Sequence, residues 1–125
     1  MDQKTSTVKR TEGSVLCPLP DVVLINLGEN GVPADKDVIE SLARIRSRVG
    51  KNAKLIVMIP VSGSGRAEIT RAFNSYKATP GDALAHLVDL GKLVFATCDG
   101  QHPEATGHQA IFKAALPAMD AIIKH

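Results

Sequence analysis

Two short aliphatic runs constrain this fold more than any other feature of the sequence. Residues 22–25 and 54–59 are continuously apolar or nearly so, with many β-branched side chains and no alternation between polar and apolar positions. A strand buried on both faces has this pattern, and such strands occur in parallel sheets that carry helices on each side. We therefore expect an α/β fold.

The segments after these runs have helical periodicity. A first helix is predicted from Asp35, with its apolar residues three and four positions apart and Gly50 as its stop. A second is predicted at about 66–77, and a closing helix at about 104–124, where Pro117 should introduce a kink or an early end.

A third strand is predicted at 85–90, although it is short and contains His86. The alternation of strands and helices predicts right-handed crossovers and a parallel sheet covered on both faces. With 125 residues, of which 44% are apolar, one domain is expected over 21–125, preceded by a polar arm at 1–20.

Composition argues against several classes of function. Aromatic residues make up 3% of the chain, too few for a stacking platform, and a net charge of +2 with interspersed signs does not favour nucleic-acid or membrane binding. Cys17 and Cys98 are far apart, with no ligand spacing for zinc. The absence of a long apolar stretch predicts a soluble chain, and no export signal is visible at the N-terminus.

Asp99 and His102 stand out in the loop that precedes the closing helix. Their spacing lets the carboxylate accept the imidazole Nδ1 proton, which leaves Nε2 as a general base. Gly100 provides freedom for the turn, and Pro103 keeps His102 out of the helix. By itself, the pair is explained more readily as a turn-forming aspartate and a surface histidine.

Asn30 follows the first predicted strand, in a loop expected at the same edge of the sheet. A side-chain amide there can donate a hydrogen bond to a developing oxyanion. The alternative is that Asn30 and Gly31 simply form a turn.

With these residues in view, the chain resembles the SGNH (GDSL-like) hydrolase family over about residues 20–125. Residues 21–30 are similar to the family's strand and Gly-x-Asn block, and residues 99–108 to its last block. The second similarity includes these six positions: Asp99, Gly100, His102, Pro103, Gly107 and His108.

The resemblance implies a serine esterase or acylhydrolase, with carbohydrate esterases among the options, that acts on a small ester. The implied fold is a flavodoxin-like three-layer α/β/α sandwich, truncated here to about three strands. His102 would be the base, Asp99 its partner, and Asn30 and Gly28 the oxyanion hole. Neither a metal nor an organic cofactor is implied. Glu29, beside Asn30, departs from the family pattern.

The family's Gly-Asp-Ser nucleophile block is absent. Ser14 follows Glu12-Gly13, but no buried strand precedes it, and it lies too close to the next strand for a crossover helix. Ser62 and Ser64 lie in a strand-to-helix loop that lacks the first glycine of a nucleophile elbow, so they are expected to shape the loop or cap the helix. The nucleophile is therefore expected on a segment outside this sequence.

Two non-catalytic alternatives remain open: a truncated or degenerate family member that binds a ligand or partner, and an unrelated flavodoxin-like binding domain. A metal site formed by His102, His108 and Glu104 has no recognised ligand spacing. The strand at 21–27 would lack a neighbour on one side, so we expect self-association, or pairing with another polypeptide, through that edge or the arm.

Overall fold

A computed structural model describes residues 18–28, 31–78, 81–91 and 104–124, and its six elements follow the predicted order. The strands form one parallel sheet in the order β1-β2-β3, which confirms the small α/β sandwich with three strands. The elements are β1 (Val22–Asn26), α1 (Asp35–Val49), β2 (Lys54–Ile59), α2 (Arg66–Ala78), β3 (Ala85–Asp89) and α3 (Ala105–Ile123).

One face of the sheet packs against α1 and α2. Leu55, Val57 and Ile59 alternate along β2 and join the main apolar core, which also contains side chains from both helices. In register, Val23 of β1 lies opposite Leu55, and Ala85 of β3 lies opposite the same residue. The strands follow one another in the sheet in the order of the sequence. When both crossover connections in such a sheet have the same hand, α1 and α2 lie on the same face, as they do here.

Helix α3 covers the opposite face. Lys54 alternates with Leu55, so its side chain lies on this second face, where Nζ donates to the carbonyls of Ile122 and Ile123 at 2.7 and 2.8 Å. The positive charge suits the last turn of a helix, where carbonyl groups lack partners. Since Lys54 begins β2, α3 ends at the amino edge of the sheet and runs antiparallel to the strands.

The expected early end at Pro117 is wrong, because α3 continues through this residue to Ile123. Proline removes the N–H group that would bond to the carbonyl of Lys113. Both residues are exposed, so solvent can satisfy that carbonyl. A single lost hydrogen bond on the exposed side does not end a helix that is held to the sheet by its other face.

A partly buried ion pair closes the amino edge of the sheet. The Arg46 guanidinium donates two hydrogen bonds to Asp82, at 2.9 and 3.0 Å, and its remaining nitrogen donates to the carbonyls of Gly50 and Ala53. The Tyr76 hydroxyl donates to Asp82 at 2.6 Å. These contacts join the ends of α1 and α2 to the residues that lead into β2 and β3.

The pKa values in this network follow from its burial and hydrogen bonds. Burial raises the pKa of Tyr76 to about 12, and the hydrogen bond to Asp82 acts in the same direction. Burial alone would raise the pKa of the Asp82 carboxyl, but the hydrogen bonds from Arg46 and Tyr76 hold it below its ordinary value. The network therefore favours an ionised aspartate beside a neutral tyrosine.

Candidate functional site at the carboxyl edge of the sheet

The loops after the three strands meet at the carboxyl edge of the sheet, where open parallel sheets bind their ligands. The first contact is between the loops that follow β1 and β2. Gly28 is buried with φ at +90°, and a Cβ atom there would lie 2.8 Å from the carbonyl oxygen of Ser64 and 2.9 Å from Cδ1 of Ile69. Only glycine fits at this position, so the packing of the two loops explains why residue 28 is a glycine, without a role in an oxyanion hole.

A second close approach joins the loops that follow β2 and β3. A Cβ atom on Gly91 would lie 2.6 Å from the Cα atom of Gly63 and 2.5 Å from Nη2 of Arg66. Arg66 donates to the carboxylate of Asp89 at 2.8 Å, and the same carboxylate accepts the N–H of Gly91 at 2.8 Å. We call Arg66, Asp89, Gly63 and Gly91 the clamp, since they hold the exit of β3 against the start of α2.

The two serines of the β2–α2 loop differ in exposure and in contacts. Ser62 is exposed, and its hydroxyl accepts the backbone N–H of Ser64 at 3.2 Å. Ser64 is half-buried, with its carbonyl beside Gly28. Within the described residues neither hydroxyl is hydrogen-bonded to a histidine or a carboxylate. The hydrogen bond that Ser62 accepts from Ser64 lies inside the loop, which is consistent with a role of Ser62 in shaping the loop.

The start of α3 also lies at the carboxyl edge, because the helix ends at the amino edge. Gly107 is buried in the first turn, while His108 is exposed and its backbone N–H donates to the carbonyl of Glu104 at 2.9 Å. The Asp99–His102 motif comes directly before this helix in the sequence.

His86 is the second residue of β3, on the face covered by α3, opposite Ile56 in register. Burial is the largest effect on this histidine and lowers its pKa. The positive charges of Lys77 and Lys54 lower the pKa further. The lowered pKa favours a neutral imidazole in the strand. Among the described residues, His86 has no hydrogen bond to the groups at the carboxyl edge, so we do not assign it to the candidate site.

Of the residues predicted for the site, the structure describes Gly28, Ser62 and Ser64 and brings Gly28 against Ser64. Asn30, Asp99, His102 and Ser14 lie outside the described residues. The roles of all these residues remain predictions.

Sequence reasoning missed the clamp. Arg66 is the first residue of α2 and Asp89 the last of β3, and opposite charges at these two positions are a signal that could have been used. The ion pair is largely exposed to solvent, and its hydrogen bonds raise the pKa of Arg66.

In the described part of the chain, no group of three or more histidine, cysteine, aspartate or glutamate side chains is placed to hold a metal ion. The helices in that part include none with both the length and the apolar character needed to cross a membrane. A shallow groove runs along the outer face of α2 from Arg66 to Ala78, and the arginines that line it, Arg66 and Arg71, are ion-paired with Asp89 and Asp35.

Comparisons with protein families, with curated proteins and with solved structures find no match to this chain.

Proposed function

We propose that this chain carries the acid–base part of a serine ester-hydrolase site. In this proposal His102 is the general base, Asp99 orients it, and the amide of Asn30 donates to the oxyanion together with the backbone at Gly28. The substrate is a small acyl ester, with carbohydrate esters in the same chemical class. The nucleophilic serine belongs to a segment outside this sequence.

The observation that supports the proposal is where α3 begins. Lys54 holds the end of α3 at the amino edge of the sheet, so the helix starts at the carboxyl edge, where Gly28 and Ser64 also lie. Pro103, the last residue of the motif, immediately precedes in the sequence Glu104, which is at the N-cap position of this helix. The motif therefore directly precedes, in the sequence, a helix that starts at the edge where an α/β sheet presents its catalytic groups, and this supports the proposal.

The chemistry follows from these groups. As the serine oxygen attacks the ester carbonyl, Nε2 of His102 takes the hydroxyl proton, and Asp99 stabilises the imidazolium. The carbonyl oxygen becomes an oxyanion that accepts hydrogen bonds from Asn30 and Gly28. The imidazolium then protonates the leaving alkoxide, and water repeats the sequence to release the acid from the acyl-enzyme.

The dyad can be tested without a nucleophile, by NMR titration of the four histidines. We expect His102 to be protonated on Nδ1 when neutral and to titrate above the ordinary value of about 6.5, because a nearby carboxylate favours the imidazolium. Asp99→Asn should lower the pKa of His102 by about one unit. Asp89→Asn, whose carboxylate is already paired with Arg66, is the matched control and should leave His102 unchanged. An unchanged pKa in Asp99→Asn would favour a non-catalytic binding role.

A second experiment tests the missing nucleophile. The chain alone should not react with a fluorophosphonate probe at Ser14, Ser62 or Ser64. Labelling of one of these serines, with turnover of p-nitrophenyl acetate that His102→Ala abolishes, would show that the nucleophile lies within this chain. A co-expressed polypeptide that ends an apolar strand in Gly-Asp-Ser should instead be labelled at its own serine, and only in the presence of His102.

A further inference from the structure

We propose that two copies of this chain pair edge to edge through β1, antiparallel and about a two-fold axis at Leu24. Within the described residues, β1 is the end strand of the sheet and is hydrogen-bonded to β2 alone. The proposal uses none of the motif residues, so it does not rest on the proposed function.

The hydrogen bonds between β1 and β2 show which backbone N–H and C=O groups of β1 face away from β2. Lys54 N–H donates to the carbonyl of Asp21 at 2.9 Å. In a parallel ladder the bonding residues of one strand alternate, so the odd-numbered residues of β1 face β2. The N–H and C=O groups of Val22, Leu24 and Asn26 therefore point away from β2, along an edge that no other described strand covers.

This edge has few of the features that usually prevent strand pairing. Natural edge strands are commonly protected by lysine, proline, inward-pointing charges or bulges. The segment Val22–Asn26 contains neither a charged residue nor a proline, and it pairs with β2 without a bulge. Leu24, at its centre, is 52% exposed. An uncharged edge with an exposed leucine favours a strand as its occupant.

A second copy fits this edge because the strand is complementary to itself. Antiparallel pairing about Leu24 places the two Leu24 residues opposite each other and each Val22 opposite Asn26 of the second copy. All outward groups are then used, in about six hydrogen bonds. Asp21 lies opposite Leu27 of the second copy, so no like charges meet. A shift of one residue would present groups that already bond to β2, and a shift of two would leave an outward residue at one end of each β1 strand without its partner in the segment, so pairing about Leu24 makes the most hydrogen bonds.

The dimer has a consequence for the carboxyl edge. Continuing the same register, Pro20 of the second copy lies beside Gly28 of the first, at the candidate site. Residues 18–20, which lead into β1 in each copy, would therefore border the carboxyl edge of the other copy.

The test is the oligomeric state of the full chain, measured by light scattering after gel filtration at about 100 μM, a concentration at which a micromolar dimer is saturated. The wild type should have twice the 13.3 kDa mass of one chain. Leu24→Lys should weaken association about tenfold or more, so that its average mass falls below that of the wild type as both are diluted, because like charges then face each other across the axis. Phe112→Lys, which changes an apolar residue on α3 that is even more exposed than Leu24, is the control and should stay dimeric.

Charge reversal gives the sharpest result. Leu24→Glu alone should be weakened in the same way, whereas an equimolar mixture of Leu24→Lys and Leu24→Glu should form a tighter heterodimer, because the two charges are then opposite in sign. In the wild type, the amides of Val22, Leu24 and Asn26 should exchange more slowly as protein concentration rises, a readout that needs no variant. A wild type that stays monomeric, or a Leu24→Lys variant as dimeric as the wild type, would overturn the proposal.

Discussion

The two edges of the sheet are built differently. At the amino edge, Arg46 and Asp82 expose only 18% and 9% of their side chains, and Tyr76 completes the network. At the carboxyl edge, close glycine contacts and the more exposed Arg66–Asp89 pair, at 39% and 28%, hold the loops. A buried pair is costly to break and an exposed one is not. The difference indicates that the amino edge secures the fold, whereas the carboxyl edge is left to loops that can carry function.

The largest effect is expected from Asp82→Ala. It leaves the guanidinium of Arg46 and the hydroxyl of Tyr76 partly buried without their acceptor, which should lower the free energy of unfolding by about 3 kcal/mol. Urea unfolding followed by circular dichroism measures this change. Asp89→Ala is the matched variant at the other edge and should have a much smaller effect. Equal losses for the two variants would contradict the comparison.

Asp82 also gives the stability a pH dependence. Its pKa is lowered in the folded state, so its contribution is present above the unfolded value of about 3.9 and is lost as the pH falls through the folded value. The Asp82→Ala variant should show a flatter acid limb than the wild type in the same unfolding experiment.

The next effect concerns the carboxyl edge. Gly28→Ala adds a Cβ atom 2.8 Å from the carbonyl oxygen of Ser64, at a φ of +90°, and should cost about 2 kcal/mol from the left-handed backbone and the clash. Gly31→Ala is the control, since Gly31 has a φ of +134° but no atom within 4 Å of the added Cβ. Thermal unfolding of both variants separates the clash from the backbone strain. If Gly31→Ala is as costly as Gly28→Ala, the contact between the loops contributes little.

The smallest effect comes from the Tyr76 hydroxyl. Tyr76→Phe removes one hydrogen bond to Asp82 and should cost about 1 kcal/mol. The chain contains a single tyrosine and no tryptophan, so phenolate absorbance reports this residue alone. The native midpoint should lie near pH 12, against about 10 in urea. Because the folded pKa is raised, this contribution is complete below about pH 10 and is lost as the pH rises towards 12. A native midpoint near 10 would place the hydroxyl in solvent.

The pattern of apolar residues predicted the helices and strands well, because each pattern depends only on residues that are consecutive in the sequence. The strand expected at 21–27 is Val22–Asn26, and the helix expected from Asp35 ends at Val49, beside the predicted stop at Gly50. The third strand forms despite His86, since a partly buried neutral imidazole is tolerated on the face under α3. The span predicted for the closing helix, about 104–124, agrees with α3. Of the two effects expected at Pro117, a kink or an early end, the early end does not occur, because the exposed position makes the lost hydrogen bond inexpensive.

The candidate site was less predictable than the elements. The Asp99–His102 pair and Asn30 came from chemistry and family resemblance, and their roles are still predictions. The clamp could not be derived from spacing, because Arg66 and Asp89 are 23 residues apart and meet only after β2 and β3 pair. The same holds for Gly28 and Ser64, whose contact depends on the path of two loops.

The sequence by itself therefore determined the class of fold: aliphatic runs and helical periodicity dictate what must be buried, and alternation of the elements favours a parallel sheet. Only the tertiary structure decided which groups meet. Strand order left β1 at the edge with Leu24 exposed, and strand register put Lys54 under the end of α3. The reason is physical: burial depends on residue type and local period, whereas pairing between distant residues depends on the geometry that the whole chain adopts.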